Sequence, residues 1–170
     1  MNNFKKINPE EITENTFKTI GKDWLLVTAE HNDRCNMMTA SWGGLGIMWN
    51  KPVAFTFIRP QRYTFDMLEN EECFSLCVLG EDYRKALMFC GTKSGRDFDK
   101  IKETGLTVQY YEGIPYFEEA KIVMICKKLY TQYLDKDGII ADGIAANYKP
   151  DGSDWHKMYI SEITAVLKKD

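Results

Sequence analysis

A chain of 170 residues, 44% hydrophobic and 28% charged, has room for one domain with one core. Its 22 Lys and Arg against 25 Asp and Glu leave a formal net charge of −3, which argues against nucleic acid as a partner, so any anion must be held by a local cluster of cations. No apolar run approaches the roughly 20 residues of a membrane span, and the polar start Met1 to Glu11 holds no apolar signal segment, so a cytoplasmic protein with no membrane contact is expected.

Residues 1–170 read as a single domain in which residues 1–20 are an N-terminal lead-in, with a short helix or turn begun at Pro9. Trp24 to Ala29 reads as a strand, and the polar cluster Glu30 to Arg34 as a hairpin connection into a second strand, Cys35 to Trp42. Gly43 and Gly44 are expected to break or bulge it. Val53 to Ile58 is almost continuously apolar and reads as a central strand. After the loop Arg59 to Tyr63, Thr64 is placed to cap a short helix. Phe74 to Leu79 is a strand, and Asp82 is placed to cap a helix carrying Tyr83, Ala86, Leu87 and Cys90 on one face, ended by Gly91.

Lys93 to Asp97 is a loop, a short helix runs from there to Gly105, and Pro115 marks an irregular stretch. Ala120 to Leu134 is a long strand with a bulge or bend expected at Lys127 and Lys128. Ile139 to Asn147 reads as a short helix and Met158 to Leu167 as the last strand. Strands separated by short helices, without regular βαβ alternation, point to a mainly β fold with short helices, an antiparallel barrel.

The five cysteines, Cys35, Cys73, Cys77, Cys90 and Cys126, are odd in number and mostly in apolar surroundings, the pattern of reduced thiols. With no CxxC pair and only two histidines, no metal site is expected. Neither GxGxxG nor a Walker A sequence is present, so a nucleotide-like ligand would be held by another route.

Three stretches carry candidate binding chemistry. In Asn36-Met37-Met38-Thr39-Ala40-Ser41-Trp42, small hydroxyls sit between methionines and a tryptophan. That suits a flat ligand with a hydrogen-bonding rim, such as a flavin ring, and it suits a bulged core strand equally well. Arg59, Arg62, Tyr63 and Thr64 put two arginines and a hydroxyl where a strand ends and a helix begins, a phosphate-binding combination that also occurs in solvated loops. Ser94 and Arg96 flank Gly95 and could complete an anion site. His156 has no visible carboxylate and nucleophile partners, so a structural or ligand-edge role fits it better than that of a general base.

Taken together, Asn36 to Trp42, Arg59-Pro60-Gln61-Arg62-Tyr63-Thr64, Ser94-Gly95-Arg96-Asp97-Phe98-Asp99-Lys100 and the closing His156-Lys157-Met158-Tyr159-Ile160-Ser161-Glu162-Ile163 resemble the flavin reductase-like proteins of the FMN-binding split barrel fold. Relatives often show His-x-x-Tyr-x-Gly-Glu in the closing run, and Ser161 stands here in the glycine's place. The resemblance covers roughly Trp24 to Leu167. It implies a homodimer of antiparallel split β-barrels with FMN near the subunit interface. The same resemblance implies flavin reduction by NADH or NADPH, or flavin kept as the bound redox group of an electron carrier, as in flavoredoxin. Carried over by motif, Asn36 to Ser41 would lie along the flavin ring and its ribityl chain. Arg59, Arg62, Tyr63, Thr64, Ser94 and Arg96 would surround the phosphate, and His156 would approach from the closing segment. Gly43, Gly44 and Gly46 would let the main chain approach the flavin edge.

Overall fold

The computed structural model describes residues 3–169. Its strands are β1 (Phe4–Ile7), β2 (Leu25–His31), β3 (Arg34–Ala40), β4 (Gly43–Met48), β5 (Lys51–Ile58), β6 (Cys73–Val78), β7 (Val108–Tyr111), β8 (Ile114–Phe117), β9 (Ile122–Tyr133) and β10 (Lys157–Lys169). The helices are α1 (Thr16–Lys18), α2 (Tyr63–Asn70), α3 (Arg84–Thr92) and α4 (Lys100–Thr104). All the ladders are antiparallel, in the order β3-β2-β6-β9-β10-β5-β4. β1 pairs with the far end of β10, and β7 with β8.

This order forces the sheet to roll. β3 and β4 are its two ends, yet only Ser41 and Trp42 separate them in the chain. Ala40 and Gly43 therefore lie no more than about 11 Å apart. No ladder joins β3 to β4 among the described residues, so the barrel is split along the seam that Ser41 and Trp42 cross.

Strand alternation divides the apolar residues between two cores. Leu25, Val27 and Ala29 of β2, Phe74, Leu76 and Val78 of β6, and Met124 and Cys126 of β9 face the barrel interior, which Phe65, Met67 and Leu68 of α2 help to fill. Their neighbours Leu26, Cys77, Val123 and Ile125 face the other way and pack under Leu87 and Cys90 of α3 and Tyr116 and Phe117 of β8. β2 and β6 are thus buried on both faces, which is why they read as unbroken apolar runs. Each fully buried Leu or Ile contributes roughly 1.5–3 kcal/mol, so truncating Leu76, at 0% exposure, to alanine should cost about 2–5 kcal/mol.

Several expected elements are corrected. β5 lies next to the sheet edge between β4 and β10, and β9 holds the centre. The apolar run of β5 has a different cause: Phe55 packs beneath Gly44 and Gly46 of β4, and Phe57 lines a cavity described below. The break expected at Gly43 falls at Ser41 and Trp42, and Gly43 is needed for a close approach to the main chain. A Cβ there would sit 2.6 Å from the carbonyl oxygen of Phe55. Gly43 thus serves the close pairing of β4 with β5. Pro115 sits in β8, in a two-stranded ribbon that tolerates a residue without an N–H. Asp82 lies in a 3-10 turn before α3, which runs on through Gly91 to Thr92, and only Ile144–Asn147 of the expected helix at 139–147 forms a 3-10 turn. The bulge in β9 falls one residue past the expected Lys127 and Lys128: the register with β10 slips between Tyr130 and Lys128, leaving Leu129 as the extra residue. No helix among the described residues is long and apolar enough to cross a membrane.

Candidate functional site

Two small clefts meet at Arg62 beside the split seam. A ring-side cavity of about 150 Å³ is lined by Met38 to Trp42, Phe57, Arg59, Arg62 and His156. A lower cleft of about 110 Å³ is lined by Gln61, Arg62, Tyr63, Thr92, Lys93, Ser94 and Lys100. The structure thus brings together four separated stretches: the end of β3, the loop into α2, the segment after α3 and the start of β10. A larger groove of about 670 Å³ lies at the β2–β3 hairpin, but Glu30, Asp33, Glu71, Glu72 and Glu112 line it, an acidic surface that repels an anionic ligand.

The lower cleft is built around a buried cation. Lys100 opens α4, whose N-cap Asp99 accepts from the Lys102 amide at 3.2 Å. Its ammonium donates to the carbonyl oxygens of Met37 at 2.9 Å and Cys90 at 3.0 Å, and the residue is only 3% exposed. No carboxylate pairs with it among the described residues. Burial pushes its pKa down to about 8, and the Arg62 guanidinium pushes in the same direction against the Cys90 thiol. Arg62 donates to the oxygens of Gly91 at 2.7 Å and Cys90 at 2.9 Å, carbonyls at the C-terminal end of α3. One buried and one partly buried cation thus share the partial negative charge of one helix end, which leaves the cleft net positive. A phosphate would restore the balance, so the residues present fit an anionic group here.

The loop at 93–97 covers the other expected residues. A Cβ on Gly95 would lie 2.3 Å from Asn36 Oδ1 and 2.8 Å from Tyr63 Cδ1. Arg34 donates to the Gly95 oxygen at 2.8 Å, and Arg96 to the Gln61 oxygen at 3.0 Å and to Asp66 at 2.5 Å. Both guanidiniums lie over the Tyr63 ring, at 4.8 and 5.2 Å. Asn36 Nδ2 donates to Thr64 Oγ1 at 2.9 Å, with both residues buried. That bond corrects the reading of Thr64 as an N-cap: Arg62 holds the cap position of α2, and no side chain caps the helix. Asn36, Thr64 and Arg96 are struts beneath and beside the cleft, while Tyr63 and Ser94 line it.

In the ring-side cavity, Trp42 is half-exposed and packs against His156 with ring centroids 5.0 Å apart. Met37 is fully buried and reaches the site through its carbonyl, and Thr39 spends its hydroxyl on the Leu87 oxygen at 2.5 Å. Met38, Ala40 and Ser41 complete the inner wall. Arg59, expected at a phosphate, is engaged by Asp154, with a second bond to the Asn147 oxygen at 2.9 Å. It thereby ties down the connection between β9 and β10. Burial pushes the His156 pKa down to about 4, Arg59 adding to the effect against Asp154, so the imidazole is neutral at pH 7.

Lys100, Tyr148 and Asp154 are the residues that sequence reasoning left without a role. Lys100 stood inside a quoted motif, and its signal was a lysine one position after the helix cap Asp99. Tyr148 and Asp154 lie in polar turn sequence that carries no such signal.

The sequence profile of the Flavin reductase like domain matches residues 17–170. The chain belongs to this family. No curated protein matches the sequence. Among solved structures, this chain is similar to flavoredoxin from Methanosarcina acetivorans, with 19% identity over 98% of this chain and 75% of that one at a TM-score of 0.67. It is similar to an FMN-binding domain of a flavin reductases-like enzyme from Shewanella baltica, with 15% identity, 99% and 78% coverage and a TM-score of 0.70. It is also similar to an NADH:FAD oxidoreductase from Streptomyces globisporus, with 16% identity, 86% and 74% coverage and a TM-score of 0.61. These likenesses establish the split barrel fold.

Proposed function

We propose that this protein is a cytoplasmic FMN-binding oxidoreductase of the flavin reductase type, taking electrons from NADH or NADPH. The observation that carries the reading is Lys100, a buried ammonium without a carboxylate partner, at the floor of a cleft that runs through Arg62 into an aromatic-walled cavity. Lys100, Arg62 and Ser94 would hold the phosphate. Met38 to Trp42 and His156 would lie along the ring. Bound FMN supplies hydride and electron transfer, and the chain supplies binding, orientation and a neutral imidazole at the cavity wall.

At about 150 Å³ the ring-side cavity is too small to enclose a flavin, and a homodimer would close it. Trp42, Ile47 and Trp49, at 45%, 68% and 53% exposure, line the open edge strand β4 and its ends, a surface that suits a second copy.

One observation favours a second reading, an FMN electron carrier that serves a protein partner. Arg59, the cation at the outer side of the ring-side cavity, is already paired with Asp154, so it is not free for a nicotinamide nucleotide's phosphates. Anaerobic addition of NADH or NADPH to the FMN-loaded protein decides between the two. Bleaching of the flavin absorption supports the reductase. A loaded protein that stays yellow supports the carrier, and failure to take up FMN rejects both.

A further inference from the structure

The connection at 134–156 is fastened down more firmly than a surface loop requires. Asp154, 4% exposed, accepts from the Lys149 amide at 2.7 Å through Oδ1 and from Arg59 through Oδ2. Tyr148 stacks on Trp155 with centroids 4.0 Å apart and planes 17° from parallel, and the Arg59 guanidinium lies over its ring at 5.3 Å. The Tyr148 hydroxyl is thus held in place without any ligand. It meets Nδ1 of His156 at 3.0 Å.

That contact has two possible directions. A neutral imidazole has one bare nitrogen, which is a stronger base than a phenol oxygen, while a phenol is a stronger acid than an imidazole N–H. The favourable arrangement has the phenol donating to a bare Nδ1. The imidazole proton then sits on Nε2. His156 is 7% exposed and lines the ring-side cavity. Its Nε2 has no partner among the described residues and is not sealed away as a buried orphan atom, so it opens on the cavity. The charged groups facing the imidazole are Arg59 and Asp154, which are bonded to each other.

We propose that Tyr148 is a positioning residue: its hydroxyl fixes His156 in the tautomer that carries the proton on Nε2, so the cavity wall presents a hydrogen-bond donor. The ligand edge seated there must then offer an acceptor, a carbonyl oxygen or a bare ring nitrogen. The flavin rim and the carboxamide of a nicotinamide share that chemistry. This inference rests on the proposed flavin site only for the identity of the ligand; the tautomer itself is a property of the free protein.

Nitrogen NMR of the uniformly labelled, FMN-free protein at pH 7 tests it. The only other histidine is His31, so a His31→Gln variant assigns the signals. His156 should show a bare, hydrogen-bonded Nδ1 and a protonated Nε2, and Tyr148→Phe should move both nitrogens toward the average of two tautomers. A proton on Nδ1 in the wild type, or signals unmoved by Tyr148→Phe, would overturn the proposal. Titration with FMN, then NADH, separates the ligand sources. If the flavin rim is the acceptor, Tyr148→Phe weakens FMN binding about 3- to 10-fold, the range of one neutral hydrogen bond. If the carboxamide is the acceptor, FMN affinity holds and KM for NADH rises by a similar factor. A change in neither overturns the role assigned to the donor. A wild type that shows the tautomer but takes no FMN overturns the flavin reading instead.

Discussion

The ammonium of Lys100 donates to the main-chain oxygen of Met37 at 2.9 Å, fastening the start of α4 to β3 just before the strand reaches the barrel seam. The same contact sets a buried positive charge in the lower cleft, sharing the Cys90 carbonyl with Arg62, where the two clefts meet. A charge-assisted bond to phosphate is worth about 1.5–3 kcal/mol, so Lys100→Met should weaken FMN binding roughly 10- to 100-fold.

The low pKa of Lys100 gives this prediction a pH signature. Free protein releases the Lys100 proton near pH 8, whereas a bound phosphate holds that proton on. Binding above pH 8 therefore takes up a proton, and FMN affinity should fall by up to about tenfold for each pH unit above 8. Titrations at pH 7 and at higher pH should show this fall in the wild type, and Lys100→Met should remove it.

Gly95 tests the covering loop. A methyl group there must displace Asn36, which is bonded to Thr64 in the interior, and the ring of Tyr63, which two guanidiniums contact. Gly95→Ala should destabilise the fold by about 1–3 kcal/mol in urea unfolding and lower FMN affinity at the same time.

Arg59 separates two roles. If it ties down the connection to β10, Arg59→Ala leaves the buried Asp154 carboxylate with only the Lys149 amide. Stability should then drop by about 1–3 kcal/mol, and limited proteolysis between Asp135 and Asp154 should accelerate. As a phosphate ligand, its loss would instead weaken FMN binding with the cleavage rate unchanged.

His156 makes stability depend on pH. Its folded pKa of about 4 lies below the ordinary 6.5, so the unfolded chain binds more protons between these values. Its contribution is therefore complete above about pH 6.5 and is lost as pH falls toward 4, a change on the order of 3 kcal/mol. Urea midpoints at pH 7 and pH 5 should differ less in His156→Gln than in the wild type.

The strands were legible because burial on two faces writes itself as apolar runs, as in Leu25 to Ala29 and Phe74 to Val78. What the runs could not convey was order. The run at Val53 to Ile58 looks central, yet β5 lies beside the edge, because its outward phenylalanines cover glycines and a cavity instead of a neighbouring layer. At the site, residue types were readable and directions were not. Thr64 has the side chain of a cap but turns it to Asn36, and Arg59 has the charge of a phosphate ligand but meets Asp154, ninety-five positions later. Such pairings arise from the rolling of the sheet, which brings distant segments together without a local pattern to announce it.

Titration of FMN with purified wild-type protein and with Lys100→Met, followed by flavin fluorescence, tests the two-cleft site most directly. The wild type should quench the fluorescence saturably, inorganic phosphate should compete, and Lys100→Met should need roughly 10- to 100-fold more protein for the same quenching. Unquenched fluorescence with the folded wild type, or equal affinity in the two proteins, would contradict the assignment.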